Sequence, residues 1–258
     1  MQMISLYDEV EVSVSKGEGV SLQCNIKALE TEDNLVCRAA RALLEAAGNR
    51  NVSVDIRLVK NIPSKAGLGG GSSDAAAVLL ALQRLLGDPL DQKTLAEIAL
   101  RLGADVPFFL GCGTARAGGV GEKLEALPPL SDGAFVVAKS CDGVSTPAAF
   151  KAWDAEKTHF HPDVDALCKA VEGGLVTEIL QASGNGLEGS AISLCPQIAD
   201  TLAALEAAGT EKAIMSGSGA AVFSIFPSRQ RAQEVQRKLP KDIFSVVCLP
   251  KEKLEIFE

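Results

Sequence analysis

Positive charge is in short supply. The chain sets 25 Lys and Arg against 33 Asp and Glu over 258 residues, a formal net charge of −8. It therefore offers neither a nucleic-acid surface nor an attraction to anionic membranes. Any anionic ligand has to be held by local N–H groups, a metal ion and a few lysines. Long apolar runs are missing too, and none reaches the length of a membrane span. The opening residues carry Asp8, Glu9 and Glu11 without a basic region and apolar run, so no secretory leader is expected. Cys-x-x-Cys pairs are absent. The seven cysteines (Cys24, Cys37, Cys112, Cys141, Cys168, Cys195, Cys248) are scattered and odd in number. That argues for reduced thiols in a cytoplasmic protein rather than a disulfide framework or a zinc site. Histidine is limited to His159 and His161. With Asp163 nearby they lack a full set of ligands at metal spacing, and a surface loop is expected there. Trp153 and Tyr7 read as packing residues.

What the chain does have is glycine concentrated in one place. A strand-patterned segment, Asn51–Val59 with Val52, Val54, Ile56 and Leu58 alternating, feeds Gly67-Leu-Gly-Gly-Gly-Ser-Ser73, and an alanine-rich helical pattern follows. Glycines accept positive φ and let a ligand approach the backbone without Cβ clashes. The first turn of the following helix adds N–H groups that lack partners, together with the positive end of the dipole. The ligand such a geometry suits is a phosphate chain. Two better-known glycine motifs are excluded by counting. No Lys follows these glycines as a P-loop requires. The last place of Gly-x-Gly-x-x-Gly falls on Ser72 or Asp74. A flexible loop punctuated by glycine is the plain alternative.

A chain of this length holds one large domain or two modest ones. Strand patterns at Val10–Val14 and Ser21–Ile26 precede a helix at Asn34–Ala47 capped by Asp33. After the strand Asn51–Val59 come helices at Ser72–Leu86 and from an Asp91 cap to Leu102. Gly103–Pro107 reads as a loop, followed by short strands near Thr114–Ala117 and Lys123–Leu127. Leu127-Pro-Pro-Leu-Ser-Asp-Gly133 is the best boundary, dividing the chain into 1–130 and 131–258. Beyond it the expected order is strand Ala134–Ala138, short helices at Pro147–Trp153, Val164–Glu172 and Leu175–Ala182, and helix Pro196–Ala208. Strands Lys212–Met215 and Ala220–Phe226, helix Arg229–Leu239 and strand Ile243–Leu249 follow. Omitting the middle helices, this is β-α-β-β-α-β, a ferredoxin-like split motif. The first half lacks regular βαβ alternation, so the fold class is α+β rather than doubly wound.

Several residues carry two readings each. Asp105, in Gly-Ala-Asp-Val-Pro, is either a turn or capping residue or an acid/base group at the end of a buried element. Ser72 and Ser73 either cap the helix or offer a hydroxyl to phosphate or Mg²⁺. Asp74 suits a helix N-terminus, but beside a polyanion it needs Mg²⁺ or a side chain turned away. Lys60 and Lys65 flank the glycines, with solvated surface as the plain reading of both. Ser216-Gly-Ser-Gly219 reads as a hairpin turn, Thr146 as a helix cap and Asn185 as a turn residue.

The segment Pro63-x-x-x-Gly67-Leu68-Gly69-Gly70-Gly71-Ser72-Ser73 resembles the phosphate-binding motif of the GHMP kinases. Further similarities run in family order: Ser5-Leu-Tyr-Asp-Glu-Val10, Asp33-Asn34-Leu-Val, Gly103-Ala-Asp105-Val-Pro-Phe, Gly118-Gly-Val-Gly-Glu122, Val144-Ser-Thr146, Asn185-Gly-Leu-Glu188 and Met215-Ser-Gly-Ser-Gly219. The triple glycine followed by Ser-Ser-Asp-Ala-Ala is most similar to the branch acting on a cytidine-diphosphate-linked methylerythritol in isoprenoid precursor biosynthesis. The resemblance implies a ribosomal-S5-like N-terminal domain and a ferredoxin-like C-terminal domain. It implies ATP and Mg²⁺, small-molecule substrates, and phosphorylation of a 2-hydroxyl. On it, Lys60, Pro63 and Gly67–Ser73 bind ATP, Lys60 lies near the adenine, and Ser73 is a candidate Mg²⁺ ligand. Asp105 takes the catalytic position, while Thr146, Ser216, Gly217, Ser218 and Gly219 support the active site. The family's opening Lys-Ile-Asn-Leu and Asp-Gly-Tyr-His are not present in this sequence, whose likeness begins beyond that opening segment. Expected alternatives are another GHMP kinase with a different acceptor, or a nucleotide-binding variant without turnover.

Overall fold

The computed structural model describes residues 1–130 and 132–256. The chain enters as β1 (Met3–Ile4), which pairs antiparallel with the last strand, Pro250–Lys251. Then follow β2 (Glu9–Lys16), β3 (Gly19–Cys24), α1 (Leu35–Ala46) and β4 (Val52–Val59). These strands form a sheet ordered β2-β4-β3, with β4 antiparallel to β2 and parallel to β3. The parallel pair is possible because α1 carries the chain back across the sheet. Alternation buries Val54, Ile56 and Leu58 of β4 and turns Asp55 and Arg57 outward. Those three pack in one cluster with Val36, Ala40 and Leu43 of α1 and Val78, Leu79 and Leu82 of α2 (Gly70–Leu85). α3 (Gln92–Leu102), α4 (Val106–Phe109) and the hairpin β5 (Ala115–Gly118)–β6 (Lys123–Ala126) complete this half.

The second half runs β7 (Ala134–Lys139), α5 (Thr146–Asp154), α6 (Val164–Gly173), α7 (Val176–Ala182), α8 (Glu188–Leu194) and α9 (Gln197–Ala207). It continues with β8 (Ile214–Met215), β9 (Val222–Phe226), α10 (Arg229–Gln236), β10 (Phe244–Cys248) and β11 (Pro250–Lys251). Its sheet is antiparallel throughout and ordered β10-β7-β9-β8, the arrangement expected of a ferredoxin-like unit. β7 is covered on both faces. Val136 and Ala138 join Ile198 and Leu205 of α9 and Val235 of α10. Phe135 and Val137 instead join Val176, Ile179 and Leu180 of α7. Ala66 and Leu68, from the glycine loop between β4 and α2, belong to this last cluster, as do Ile4 and Leu6. Burial of apolar surface thus ties the loop to the second sheet.

Several local expectations are corrected. The cap of α1 is Asn34, whose Oδ1 accepts from Val36 N at 3.1 Å, not Asp33. Ser145 caps α5, leaving Thr146 as its first helical residue. α2 begins at Gly70 rather than Ser72. Val106–Phe109, within and beyond the expected loop, forms a short helix, and Glu188–Leu194 after Asn185 forms another. Asp91 caps α3 as its spacing predicts, accepting from Thr94 N at 2.7 Å. Ser131, at the expected domain boundary, lies outside the described residues.

Asn34 also donates from Nδ2 to Leu29 O at 2.9 Å, so one side chain holds both the helix start and the turn before it. Asn34→Ala should cost about 1–2 kcal/mol in urea unfolding, and Asp33→Ala within roughly ±0.5 kcal/mol. Equal effects of the two would return the cap to Asp33.

Candidate functional site

β4 delivers the chain to residues 60–69, and α2 starts with Gly69 as its N-cap at φ +68°. Glycine there contributes no side-chain cap, so the first-turn N–H groups are left for a ligand. Gly67 also lies in the left-handed region, at φ +70°. The glycines face different surroundings. A Cβ on Gly69 would come 3.0 Å from the Phe109 ring of α4, and one on Gly70 would come 3.1 Å from Ile62 Cγ2. A Cβ on Gly71 would meet nothing within 4 Å. Gly71 therefore owes nothing to internal packing and marks the open side of the turn, where phosphate can approach. Ser72 and Ser73 follow, half-buried, with Ser73 Oγ donating to Gly70 O at 2.8 Å. That bond uses the Ser73 proton and leaves the oxygen lone pairs able to take a cation. Pro63 is half-buried in the approach, and Leu68 packs toward the second sheet.

The outer wall of the loop comes from the turn between β8 and β9. Ala220 N and Ala221 N donate to Lys65 O and Ala66 O at 3.1 and 3.0 Å, and Ser216 Oγ donates to Gly67 O at 2.9 Å. The two backbones lie so close that a Cβ on Gly67 would sit 2.0 Å from Ser216 O. Gly217 and Gly219 adopt φ +53° and +85° within this turn. Ser218 Oγ and Thr146 Oγ1 are 2.8 Å apart. Asn185 Nδ2 donates to Met215 O and Gly217 O, both at 2.8 Å, and Glu188 Oε2 accepts from Met215 N at 2.8 Å. Ser216–Gly219 is therefore a hairpin turn, as its local reading expects, and also the brace of the glycine loop. Asn185 and Glu188 are structural supports of that brace. Gly143, which sequence reasoning missed, passes so close that a Cβ would fall 2.1 Å from Lys65 O.

Lys60 is not solvated. Its Nζ bonds Asp74 Oδ2 at 2.6 Å and Asp8 Oδ2 on the other side. Burial above all pushes Asp74 up to about 7, with the nearby Asp8 charge adding to it and Lys60 opposing it. Burial alone would lower the Lys60 ammonium, but the two carboxylates outweigh it and hold it above its ordinary value. Asp74 is thus turned inward, away from the ligand side. Asp8 lies in the family-like segment Ser5–Val10, but its pairing with Lys60 left no local signal, because its partners are 52 residues or more away. Lys65 is exposed, as its plain reading expects.

Asp105 stands at the start of α4, exposed, and its side chain makes no capping hydrogen bond. α4 packs by Phe109 against Gly69, so the helix that carries this carboxylate lies on the glycine loop.

A glycine-lined helix start braced by a second, ferredoxin-like unit is the arrangement of a known family. The model described as "GHMP kinases N terminal domain" matches residues 34–113, and "GHMP kinases C terminal" matches residues 164–244. The chain belongs to the GHMP kinase family. A 4-diphosphocytidyl-2-C-methyl-D-erythritol kinase of Desulfitobacterium hafniense is 38% identical over 237 residues, covering 91% of this chain and 80% of the relative. A crystal structure of 4-(cytidine 5'-diphospho)-2C-methyl-D-erythritol kinase aligns with TM-score 0.73 and 37% identity, over 95% of this chain and 87% of the other. A homoserine kinase of Cytophaga hutchinsonii shares the fold at TM-score 0.79 and 21% identity, over 95% of this chain and 87% of the other.

The contrast between Gly70 and Gly71 separates packing from ligand approach. Gly71→Val should leave the melting temperature within a few degrees, yet weaken binding of a non-hydrolysable ATP analogue by roughly tenfold or more. Gly70→Val should lower stability itself, because its side chain meets Ile62. Calorimetric titration beside thermal melting reads both, and unchanged affinity in Gly71→Val would remove the ligand from this side of α2.

Proposed function

We propose that this chain transfers the γ-phosphoryl group of ATP to the 2-hydroxyl of 4-diphosphocytidyl-2-C-methyl-D-erythritol. The observation that carries the reading is the first turn of α2, uncapped by any side chain, open at Gly71 and braced through Gly67 by Ser216–Gly219. Phosphates of ATP would lie along Gly67–Ser73, held by backbone N–H groups and the helix dipole. The loop comes from a first domain, taken as 1–130, and its brace from a second, 131–258. The acceptor is argued from the relatives of that name, 38% and 37% identical over more than nine-tenths of this chain.

Phosphoryl transfer asks the protein for positioning and charge stabilisation more than covalent chemistry. The bond from the γ-phosphorus to ADP breaks as the bond to the acceptor oxygen forms, and the hydroxyl proton must leave. Asp105 is the group assigned to that proton. Its carboxylate makes no capping hydrogen bond to α4 and is exposed among the described residues. Ser218 and Thr146, joined to each other on the brace, would line the acceptor side. Mg²⁺, when bound with the nucleotide, neutralises phosphate charge, and Ser73 Oγ is the oxygen this chain offers it. The setting proposed is cytoplasmic, and no helix among the described residues is long and apolar enough to cross a membrane.

The direct test is ADP release with the cytidylyl acceptor, compared with homoserine and mevalonate. Turnover confined to either of the latter moves the chain to another GHMP specificity, and ATP binding without turnover makes it a non-catalytic variant. Asp105→Asn keeps shape but loses charge and basicity. It should lower kcat on the order of 10²- to 10⁴-fold and leave ATP affinity within about twofold. A variant with parental turnover would confine Asp105 to its place at the helix start.

A further inference from the structure

The most heavily buried charged group in the described chain lies directly behind the glycine loop. The side chains of Asp8, Lys60 and Asp74 are 1%, 7% and 5% exposed. They come from three separate elements: the entry to β2, the exit of β4 and the second turn of α2. Asp8 uses both oxygens. Oδ2 takes Lys60 Nζ, while Oδ1 accepts from Asn61 N at 2.6 Å and Ile62 N at 2.8 Å. Asn25 grips the same stretch, accepting from Lys60 N at 2.8 Å and donating to Lys60 O at 3.2 Å. The backbone of residues 60–62 is therefore fixed by side chains on every hand. From there the ammonium reaches under α2, bonding Asp74 and lying 3.4 Å from the place of a Gly70 Cβ.

Net stability does not explain such a group. Two carboxylates and one ammonium out of water cost much of what their attraction returns, and apolar residues of similar volume commonly do as well. A direct clamp on phosphate does not explain it either, because the ammonium already has a carboxylate on two sides. What the arrangement does supply is direction. Charged hydrogen bonds are short and oriented, and these join the end of a strand, the approach to the loop and the first turns of a helix. A cation beneath a helix N-terminus opposes the dipole unless anions accompany it. Asp74, one turn in from Gly70, and Asp8 provide them.

We infer that Asp8, Lys60 and Asp74 form a positioning triad that sets the first turn of α2 for the phosphates of ATP. Lys60 acts through Asp8, which holds the backbone of Asn61 and Ile62, and through Asp74 on α2, rather than on the nucleotide. The inference rests on the reading of Gly67–Ser73 as a phosphate cradle.

The test uses the full chain with Asp8→Asn, Asp74→Asn and Lys60→Met singly, and all three together. Titration with a non-hydrolysable ATP analogue, KM for ATP, KM for the cytidylyl acceptor and thermal melting are measured for each. Each single variant should weaken analogue binding and raise KM for ATP about tenfold, with KM for the acceptor unchanged. The triple variant, which leaves no buried charge alone, should regain the parent's melting temperature but keep the weak ATP binding. If Lys60→Met does not fold, the two near-isosteric Asn variants and the triple carry the comparison. Recovery of parental ATP affinity in the triple variant overturns the inference by making the triad a matter of stability only. Parental affinity in both Asn variants with loss in Lys60→Met overturns it in favour of direct contact with the nucleotide. A parent that binds no ATP analogue at all removes the cradle reading and this inference with it.

Discussion

Two backbone segments from opposite halves of the chain run against each other with no room for a side chain between them. Residues 65–67 give their carbonyls to Ala220 N, Ala221 N and Ser216 Oγ, and a Cβ on Gly67 would overlap Ser216 O. Most of the site follows from this contact. A loop that leaves regular structure must still satisfy its backbone polar groups, and here the second sheet's turn satisfies them. The loop can then dispense with hydrogen bonds of its own and present the start of α2 to a ligand. The contact also explains why glycine gathers on both sides of it, at Gly67 and at Gly217 and Gly219. Each adopts a positive φ where the backbones meet.

The brace is itself supported from behind. Asn185 and Glu188 hold Met215 and Gly217, Thr146 meets Ser218, and Gly143 presses on Lys65. Apolar burial completes the seam, since Ala66 and Leu68 pack with Phe135 and Val137 of β7. The loop's contacts come from both sheets, so changes in the second sheet reach the glycine loop through packed contacts.

In an acidic chain, electrostatics favourable to an anion are confined to small places. Net charge of −8 offers no general attraction. The helix start supplies N–H groups and partial positive charge locally, and Asp74, the nearest acidic side chain in sequence, is turned inward to Lys60. Asp105 remains the exposed carboxylate on the adjoining helix. Where the acidic side chains point thus matters here more than how many there are: Asp74 faces inward and Asp105 is exposed.

Much of this was legible in the residues. The strand before the glycines, the helix after them, the Asp91 cap and the ferredoxin-like order of the second half follow from period, breakers and spacing, which are properties of neighbouring residues. So does the exclusion of a P-loop and of the dinucleotide fingerprint, because counting along one loop decides it. Local rules slipped where two adjacent residues competed for one role, as with Asp33 and Asn34 or Ser145 and Thr146. The choice there depends on a single backbone angle. They also passed over the short helices at Val106–Phe109 and Glu188–Leu194, which are too brief to show a period. What tertiary structure alone decided was which distant groups meet. Asp8 with Lys60 and Asp74, Gly143 with Lys65, and β1 with β11 leave no trace in local sequence. The direction of each glycine's missing Cβ was decided there as well, making Gly70 a packing position and Gly71 an open one. Hydrogen bonds and steric contacts act over a few ångströms of space, and only the folded chain brings residues so far apart in sequence within that range.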